Sequence, residues 1–141
     1  MVIRLVILML VCCVAGCSGS SAELADARQQ AYQAIEEGDA AFDQGDYAAA
    51  AERFSFALEA GAINVDSRIN VMLRRVLCYA MADRFDEAHA ELDLLEANAP
   101  NGDEICAARS FVYKRQGDAR KSKAAWNEAK RLNRAVKPFE L

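Results

Sequence analysis

"FDQGDYAAAAERF" (residues 42–54) and "YKRQGDARKSKAAW" (residues 113–126) are the two stretches that decide the fold. Each contains Gln-Gly-Asp, followed by a run in which small and aromatic residues recur at helical spacing. Glycine accepts the left-handed conformation that ends one helix, and aspartate caps the free amides of the next. We therefore predict a helix-turn-helix unit at each Gly-Asp pair, Gly45-Asp46 and Gly117-Asp118.

The rest of the sequence also favours helices. It has only two prolines, Pro100 and Pro138, and no stretch alternates apolar and polar residues with the period of a strand. Residues 17–141 are enough for one domain with its own core and too few for two ordinary domains. We predict an all-α fold around one core, and a helical bundle without repeats is the alternative to the arrangement described next.

Three consecutive segments resemble the tetratricopeptide (TPR) repeat, a helix pair of 34 residues with small residues where the helices cross. The copies span residues 31–64, 69–102 and 103–136. The pattern positions include Gly38, Ala50, Phe54 and Ala57 in copy one, Tyr79, Phe85, Ala88 and Pro100 in copy two, and Tyr113, Trp126 and Ala129 in copy three. The resemblance implies a short right-handed solenoid of three helix-turn-helix repeats.

The copies depart from the TPR pattern at several positions. Val76 and Asp83 replace its two glycines in copy two, and four additional residues, 65–68, predict a longer second helix or a longer loop after copy one. A first-helix position that usually holds leucine is charged in every copy, as Glu37, Arg75 and Arg109. Stacking of equivalent positions would pair Glu37 with Arg75.

The N-terminal stretch "VCCVAGCSGSS" (residues 11–21) ends an apolar run that begins at Leu5 and follows a single charge, Arg4. This run is about half of the roughly 20 residues that a membrane-spanning helix needs, which predicts a secretory leader. Residues 14–17, Val-Ala-Gly-Cys, resemble the bacterial lipobox. The resemblance implies that a signal peptide, residues 1–16, is removed, and that Cys17 carries a diacylglyceryl group and further palmitate-type acylation. The alternative is a plain leader with a chance cysteine.

The lipobox resemblance also predicts how the domain is attached. Two or three acyl chains anchor a protein stably, whereas one holds marginally. Residues 17–22 would be the lipidated cysteine and a short flexible tether, and residues 23–141 the TPR-like domain. Ser20-Ser21-Ala22-Glu23 resembles a capping box, so we expect the first helix to start near Ser21 and to end at Gln44. Because Ser18 and not aspartate follows Cys17, the resemblance to enterobacterial lipoproteins favours the outer membrane over the inner membrane.

Charge is distributed unevenly along the domain. Residues 21–64 carry 9 acidic and 2 basic side chains, whereas residues 103–141 carry 5 and 10. Two solvated end faces explain this asymmetry, and a specific acidic or lipid partner is the alternative. Nucleic acid is not an expected partner of an exported protein.

The sequence contains no signature of catalysis or cofactor binding. His89 is the only histidine, and Cys78 and Cys106 have neither Cys-x-x-Cys spacing nor histidine partners, so we expect no metal site. The glycines form no phosphate-binding loop. Cys78 and Cys106 fall on the first helices of neighbouring copies. A disulfide between them is one interpretation, and two unpaired cysteines that pack as small apolar residues are the other. We expect a protein that is not an enzyme and has no cofactor.

Solenoids of helix pairs bind partners on an extended concave surface lined by their first helices. By the TPR groove positions, the lining would be Tyr32, Ile35, Asp39, Phe42, Asp43, Asn70, Leu73, Leu77, Met81, Phe111, Lys114 and Arg115. We expect Leu73, Leu77, Met81, Phe42 and Phe111 to form an exposed apolar floor between an acidic and a basic end. The chain's own tether or a second copy is the alternative occupant.

These expectations combine into one functional hypothesis. The chain would be a lipid-anchored adaptor of the bacterial cell envelope, facing the periplasm, that binds another envelope protein in its groove. The alternative is a structural or self-associating lipoprotein whose basic end contacts an anionic polymer or lipid surface. The sequence does not identify the partner.

Overall fold

The computed structural model describes residues 19–98 and 102–139, and this part of the chain contains six α-helices. They are α1 (Gly19–Asp43), α2 (Tyr47–Glu59), α3 (Val65–Met81), α4 (Phe85–Asn98), α5 (Gly102–Arg115) and α6 (Ala119–Leu132). No strand occurs in the described ranges, which confirms the all-α prediction for them. None of these six helices is both long and apolar enough to cross a membrane.

The turns after α1, α3 and α5 share one backbone geometry. The middle residue of each has a positive φ, which is 79° at Gly45, 57° at Asp83 and 81° at Gly117. In each turn an amide donates to the carbonyl five residues earlier, from Asp46 to Ala41, from Arg84 to Tyr79 and from Asp118 to Tyr113. This hydrogen bond closes the C-terminal turn of a helix and reverses the chain. Asp83 therefore adopts the conformation that glycine adopts in the other two turns.

Aspartate caps the helix that follows two of these turns. Asp46 accepts a hydrogen bond from the amide of Ala49 at 3.1 Å, and Asp118 accepts one from the amide of Lys121 at 2.9 Å. Both predicted Gly-Asp turns are confirmed. The remaining turn has Arg84 in place of the aspartate, and Arg84 instead pairs with Glu87 in the first turn of α4.

Some predicted boundaries differ from the structure. Helix α1 begins at Gly19, before the expected start at Ser21, so the expected flexible tether is helical from Gly19 onward. Cys17 lies outside the described residues, as does Pro100. The four additional residues, 65–68, do not extend α2, which ends at Glu59. They form the first turn of α3 instead, after a loop over residues 60–64.

Each helix packs against the next one in the chain, and α3 also packs against α5. The side chains at the centre of this core are fully buried and come from α2 to α5: Phe54, Val76, Cys78, Leu92, Ile105 and Val112. Helix α6 contributes only one fully buried side chain, Ala129. The core is therefore built mainly from contacts between helices that are consecutive in the chain.

Small residues lie where the helices of the first and third pairs contact each other closely. A Cβ at Gly38 would lie 2.6 Å from Cε1 of Phe54, so a side chain at that position would force the ring of Phe54 to shift. Between α5 and α6, the hydroxyls of Ser110 and Ser122 each donate to the carbonyl oxygen of the other residue at 2.9 Å. Small residues thus set the spacing within both helix pairs.

The charged first-helix positions make ion pairs with second helices. Glu37 pairs with Arg53 of α2 at 3.3 Å and does not pair with Arg75, so the stacking prediction was wrong. Arg75 makes a bidentate pair with Glu91 of α4, at 2.7 to 3.2 Å. Arg109 contacts Asp93 and Glu96 of α4, each at 2.9 Å. In each case the partner lies on a helix that is next to it in the chain, because neighbouring helices pack directly against each other.

Candidate binding groove

Two cavities on the protein surface contain six of the twelve residues that the sequence suggested for binding. The first, about 430 Å³, is lined by Asp39, Phe42, Asp43, Arg74, Leu77 and Phe139. Four of these six residues were predicted, and they lie on the last turns of α1 and on α3. The second cavity, about 410 Å³, lies between α5 and α6, and its lining includes Phe111, Lys114, Lys123, Trp126, Pro138 and Phe139.

Phe139 belongs to both cavities and joins them. It follows α6 in the segment of residues 133–139, which we call the tail segment, and it packs partly buried against the hydrophobic core. We call the two cavities together the groove. The groove is therefore lined by three first helices and by α6, and part of its lining is supplied by the chain's own tail segment.

The expected apolar floor is not exposed. Leu73, Leu77 and Phe111 are 4%, 7% and 8% exposed, so they belong to the core, and this prediction was wrong. The regular pattern of a helix face does not reveal that a later segment covers it, and Phe139 packs against the cluster that contains all three residues. Phe42 and Met81 are partly buried and pack against the same cluster, as does Ile35.

The charged residues of the groove differ from the predicted acidic and basic ends. Asp39 pairs with Arg74 of α3, which neutralises part of the expected acidic end. Arg115 pairs with Asp83 at 3.6 Å and lines neither cavity of the groove. Lys114 and Lys123 are exposed, and neither has an acidic partner within the described part of the chain. The groove therefore has a basic rim beside α6 and a single unneutralised aspartate, Asp43, beside α1.

Two predicted lining residues lie elsewhere. The hydroxyl of Tyr32 accepts a hydrogen bond from Asn64 at 3.4 Å, and Tyr32 lines a separate cavity with Leu24, Arg28 and the loop over residues 61–64. Arg28 also donates to the carbonyl oxygen of Ala62 at 3.3 Å. The early part of α1 thus packs against this loop. Asn70 is exposed and lines neither cavity of the groove.

Sequence reasoning did not identify Arg74, Trp126, Pro138 or Phe139 as groove residues. The TPR groove positions come only from first helices, so a lining residue on α6 or beyond it falls outside that pattern. One signal was present: Phe139 is a large apolar residue directly after a proline, outside every predicted helix. Such a residue is buried only if its segment folds back onto the domain.

Other polar and reactive groups lie away from the groove. Cys78 and Cys106 are both free, and burial raises the pKa of the Cys78 thiol to about 12. His89 approaches Gln116 at 3.0 Å and lies beside the ring of Tyr113, with ring centroids 4.8 Å apart and the ring planes tilted by 41°. Across residues 19–98 and 102–139, no three cysteine, histidine or acidic side chains come together in a way that could hold a metal ion.

Comparison with known proteins gives no relative from which a role could be transferred. No protein-family model matches the sequence, and no curated protein and no solved structure is significantly similar to it.

Proposed function

We propose that this protein is a membrane-anchored adaptor of the bacterial cell envelope that binds a segment of another envelope protein in the groove. One observation carries the proposal: Phe139, on a segment that is neither helix nor strand, packs against the core and lines both cavities. A surface that receives an extended piece of its own chain has the lining to receive a similar piece of a partner. The proposed role requires neither a cofactor nor catalysis.

We propose, in addition, that the three helix pairs are TPR-like repeats arranged as a short right-handed solenoid. The common geometry of the turns at Gly45, Asp83 and Gly117 supports this interpretation. The close approach at Gly38 supports it too, because TPR helices cross at small residues. In such a solenoid the first helices line the concave surface. The groove takes residues from α1, α3 and α5, in agreement with this arrangement.

The proposed anchor is a lipid on Cys17, attached after removal of residues 1–16. The support is the sequence Val-Ala-Gly-Cys at residues 14–17, and Ser18 favours the outer membrane. Mass spectrometry of the membrane fraction tests this: the acylated N-terminal peptide should begin at Cys17. A Cys17→Ser variant should leave the membrane fraction, and an unmodified peptide in wild type, or an unchanged distribution of the variant, would refute the anchor.

Crosslinking of the full chain in its host tests the binding role. We expect one heterologous protein in stoichiometric amount, and we expect its capture to fall when Lys114→Glu and Lys123→Glu reverse the basic rim. Arg120→Glu is the control for each of the two single substitutions, because it makes the same charge change as either one on exposed α6 surface outside both cavities. Capture that survives the double change argues against the groove. A protein that crosslinks mainly to itself supports the alternative, a self-associating envelope lipoprotein.

A further inference from the structure

The tail segment is directed back across the domain by a local turn. Helix α6 ends at Leu132, and the next residue, Asn133, has an extended backbone with φ −145° and ψ 111°. The side chain of Asn133 accepts a hydrogen bond from the amide of Ala135 at 2.9 Å and donates to Asp103 of α5 at 2.8 Å. The amide of Val136 donates to the carbonyl oxygen of Asn133 at 3.1 Å. These contacts direct the segment that follows α6 toward the groove.

Beyond this turn, one side chain holds the tail segment. Phe139 is partly buried against the core, whereas Lys137 and Pro138 are exposed. Residues 137–139 make no hydrogen bond or ion pair with the described residues. A contact made by a single aromatic side chain, without backbone pairing, can exchange with a competitor of similar chemistry.

We propose that the tail segment is an internal ligand that closes the groove, and that the partner displaces it with an extended segment carrying an aromatic residue followed by an acidic one. This inference rests on the proposed adaptor function. It names the ligand chemistry of the groove and the element that regulates access to it.

The lining of the groove determines this ligand chemistry. An aromatic side chain at the position of Phe139 lies among Phe42, Leu77 and Phe111, and Trp126 lines the adjoining wall. The exposed ammonium groups of Lys114 and Lys123 stand on the same rim without an acidic partner in the described residues. They favour a carboxylate next to the aromatic ring. The chain's own sequence has this order, since Glu140 follows Phe139.

Covalent attachment gives the tail segment an advantage over a free ligand. A short tether presents its ligand at an effective concentration of about 1 mM, so a free segment of equal affinity competes poorly. A partner therefore binds only if it makes more contacts than Phe139 alone or is itself held at the membrane. The tail segment would thus exclude weak apolar peptides and admit the specific partner.

The binding test uses the full chain in detergent and a fluorescein-labelled peptide with the sequence of residues 134–141. We expect Phe139→Ala to bind this peptide at least about tenfold more tightly than wild type does, because the internal competitor has been removed. A peptide in which the phenylalanine is alanine should not bind. Leu24→Ala is the control: it also removes apolar side chain, but from the exposed N-terminal part of α1, and should behave as wild type.

Trp126 provides a second readout, because it is the only tryptophan and lines the same cavity as Phe139. In Phe139→Ala its emission should shift to the red and acrylamide should quench it more strongly, and saturating peptide should reverse both changes. Circular dichroism checks that the helices persist, and Phe139→Leu should give an intermediate affinity. Equal peptide affinity in wild type and Phe139→Ala, or unchanged Trp126 emission, would overturn the inference.

Failure of this inference can be distinguished from failure of the adaptor function. If the Lys114→Glu and Lys123→Glu changes abolish capture of the heterologous protein while Phe139→Ala leaves both capture and peptide affinity unchanged, the adaptor stands and the internal ligand is refuted. If Phe139→Ala opens the groove to the peptide but no heterologous protein is captured, the internal ligand stands and the adaptor function is refuted.

Discussion

Arg75 and Glu91 form a partly buried ion pair at positions equivalent to those of Glu37 and Arg53, with the two charges exchanged. Both pairs join the first helix of a pair to the second, and the partners are 16 residues apart in each case. Their surroundings differ: the Arg75 and Glu91 side chains are 20% and 6% exposed, whereas those of Arg53 and Glu37 are 56% and 42% exposed. The same contact should therefore matter far more in the second helix pair than in the first.

The first prediction is that Glu91→Ala lowers the free energy of unfolding by about 3 kcal/mol, because it leaves the guanidinium of Arg75 partly buried without its carboxylate. Glu37→Ala should cost less than about 1 kcal/mol, since an exposed pair contributes little. The double change Arg75→Glu with Glu91→Arg recreates the order of charges in the first pair and should recover part of the loss. Urea denaturation measures all three, and equal losses for Glu91→Ala and Glu37→Ala would contradict the prediction.

The second prediction concerns the close contact between α1 and α2. Gly38→Ala places a Cβ 2.6 Å from the ring of Phe54, and we expect a loss of about 1 to 3 kcal/mol although alanine is the better helix former. In a Phe54→Leu background the same change should cost less, because the ring atoms that clash are absent. Thermal denaturation of the four proteins in this cycle gives the coupling, and additive effects would show that the helices can separate without cost.

The third prediction is that Asp83→Gly raises the free energy of unfolding by up to about 1 kcal/mol. Asp83 has a φ of 57°, which is unfavourable for a residue with a side chain and free for glycine. Its exposed contact with Arg115 should offset little of this gain. The matched control is Gly45→Ala, which has open space around the new Cβ and should cost about 1 kcal/mol through backbone conformation alone. A destabilised Asp83→Gly protein would mean that the aspartate side chain has a role in the turn.

The fourth prediction is that Cys78 in the folded protein reacts very slowly with thiol reagents near neutral pH and reacts readily after unfolding. Burial raises its pKa to about 12 from an ordinary value of 9.0, so the reactive thiolate is about a thousandfold rarer at pH 8 than in an ordinary thiol. Since a raised thiol pKa favours the protonated form, reactivity should increase as the pH rises toward 12. Cys106 is only partly buried and should react first. Mass spectrometry after iodoacetamide treatment distinguishes the two sites, and early labelling of Cys78 would contradict the buried position.

Local sequence pattern determined the helices, their turns and the places where they approach closely. The turns depend on the backbone freedom of two glycines, Gly45 and Gly117, and on two aspartates that cap amides three residues away, Asp46 and Asp118. Because all of these interactions are local, the neighbouring sequence is sufficient to predict the turns. Gly38 was expected from the resemblance to the TPR pattern, which has a small residue where the two helices of a pair cross.

Only the tertiary structure decided which charged residues pair and what occupies the groove. Glu37 pairs with Arg53, 16 residues further along the chain, because α1 packs against α2. Phe139 follows no helical or strand pattern, and it packs against the core cluster that contains Leu77, 62 residues earlier, because the turn at Asn133 returns the chain to an apolar surface. Burial of that surface results from packing between segments that are far apart in the sequence, so a local sequence pattern cannot predict it.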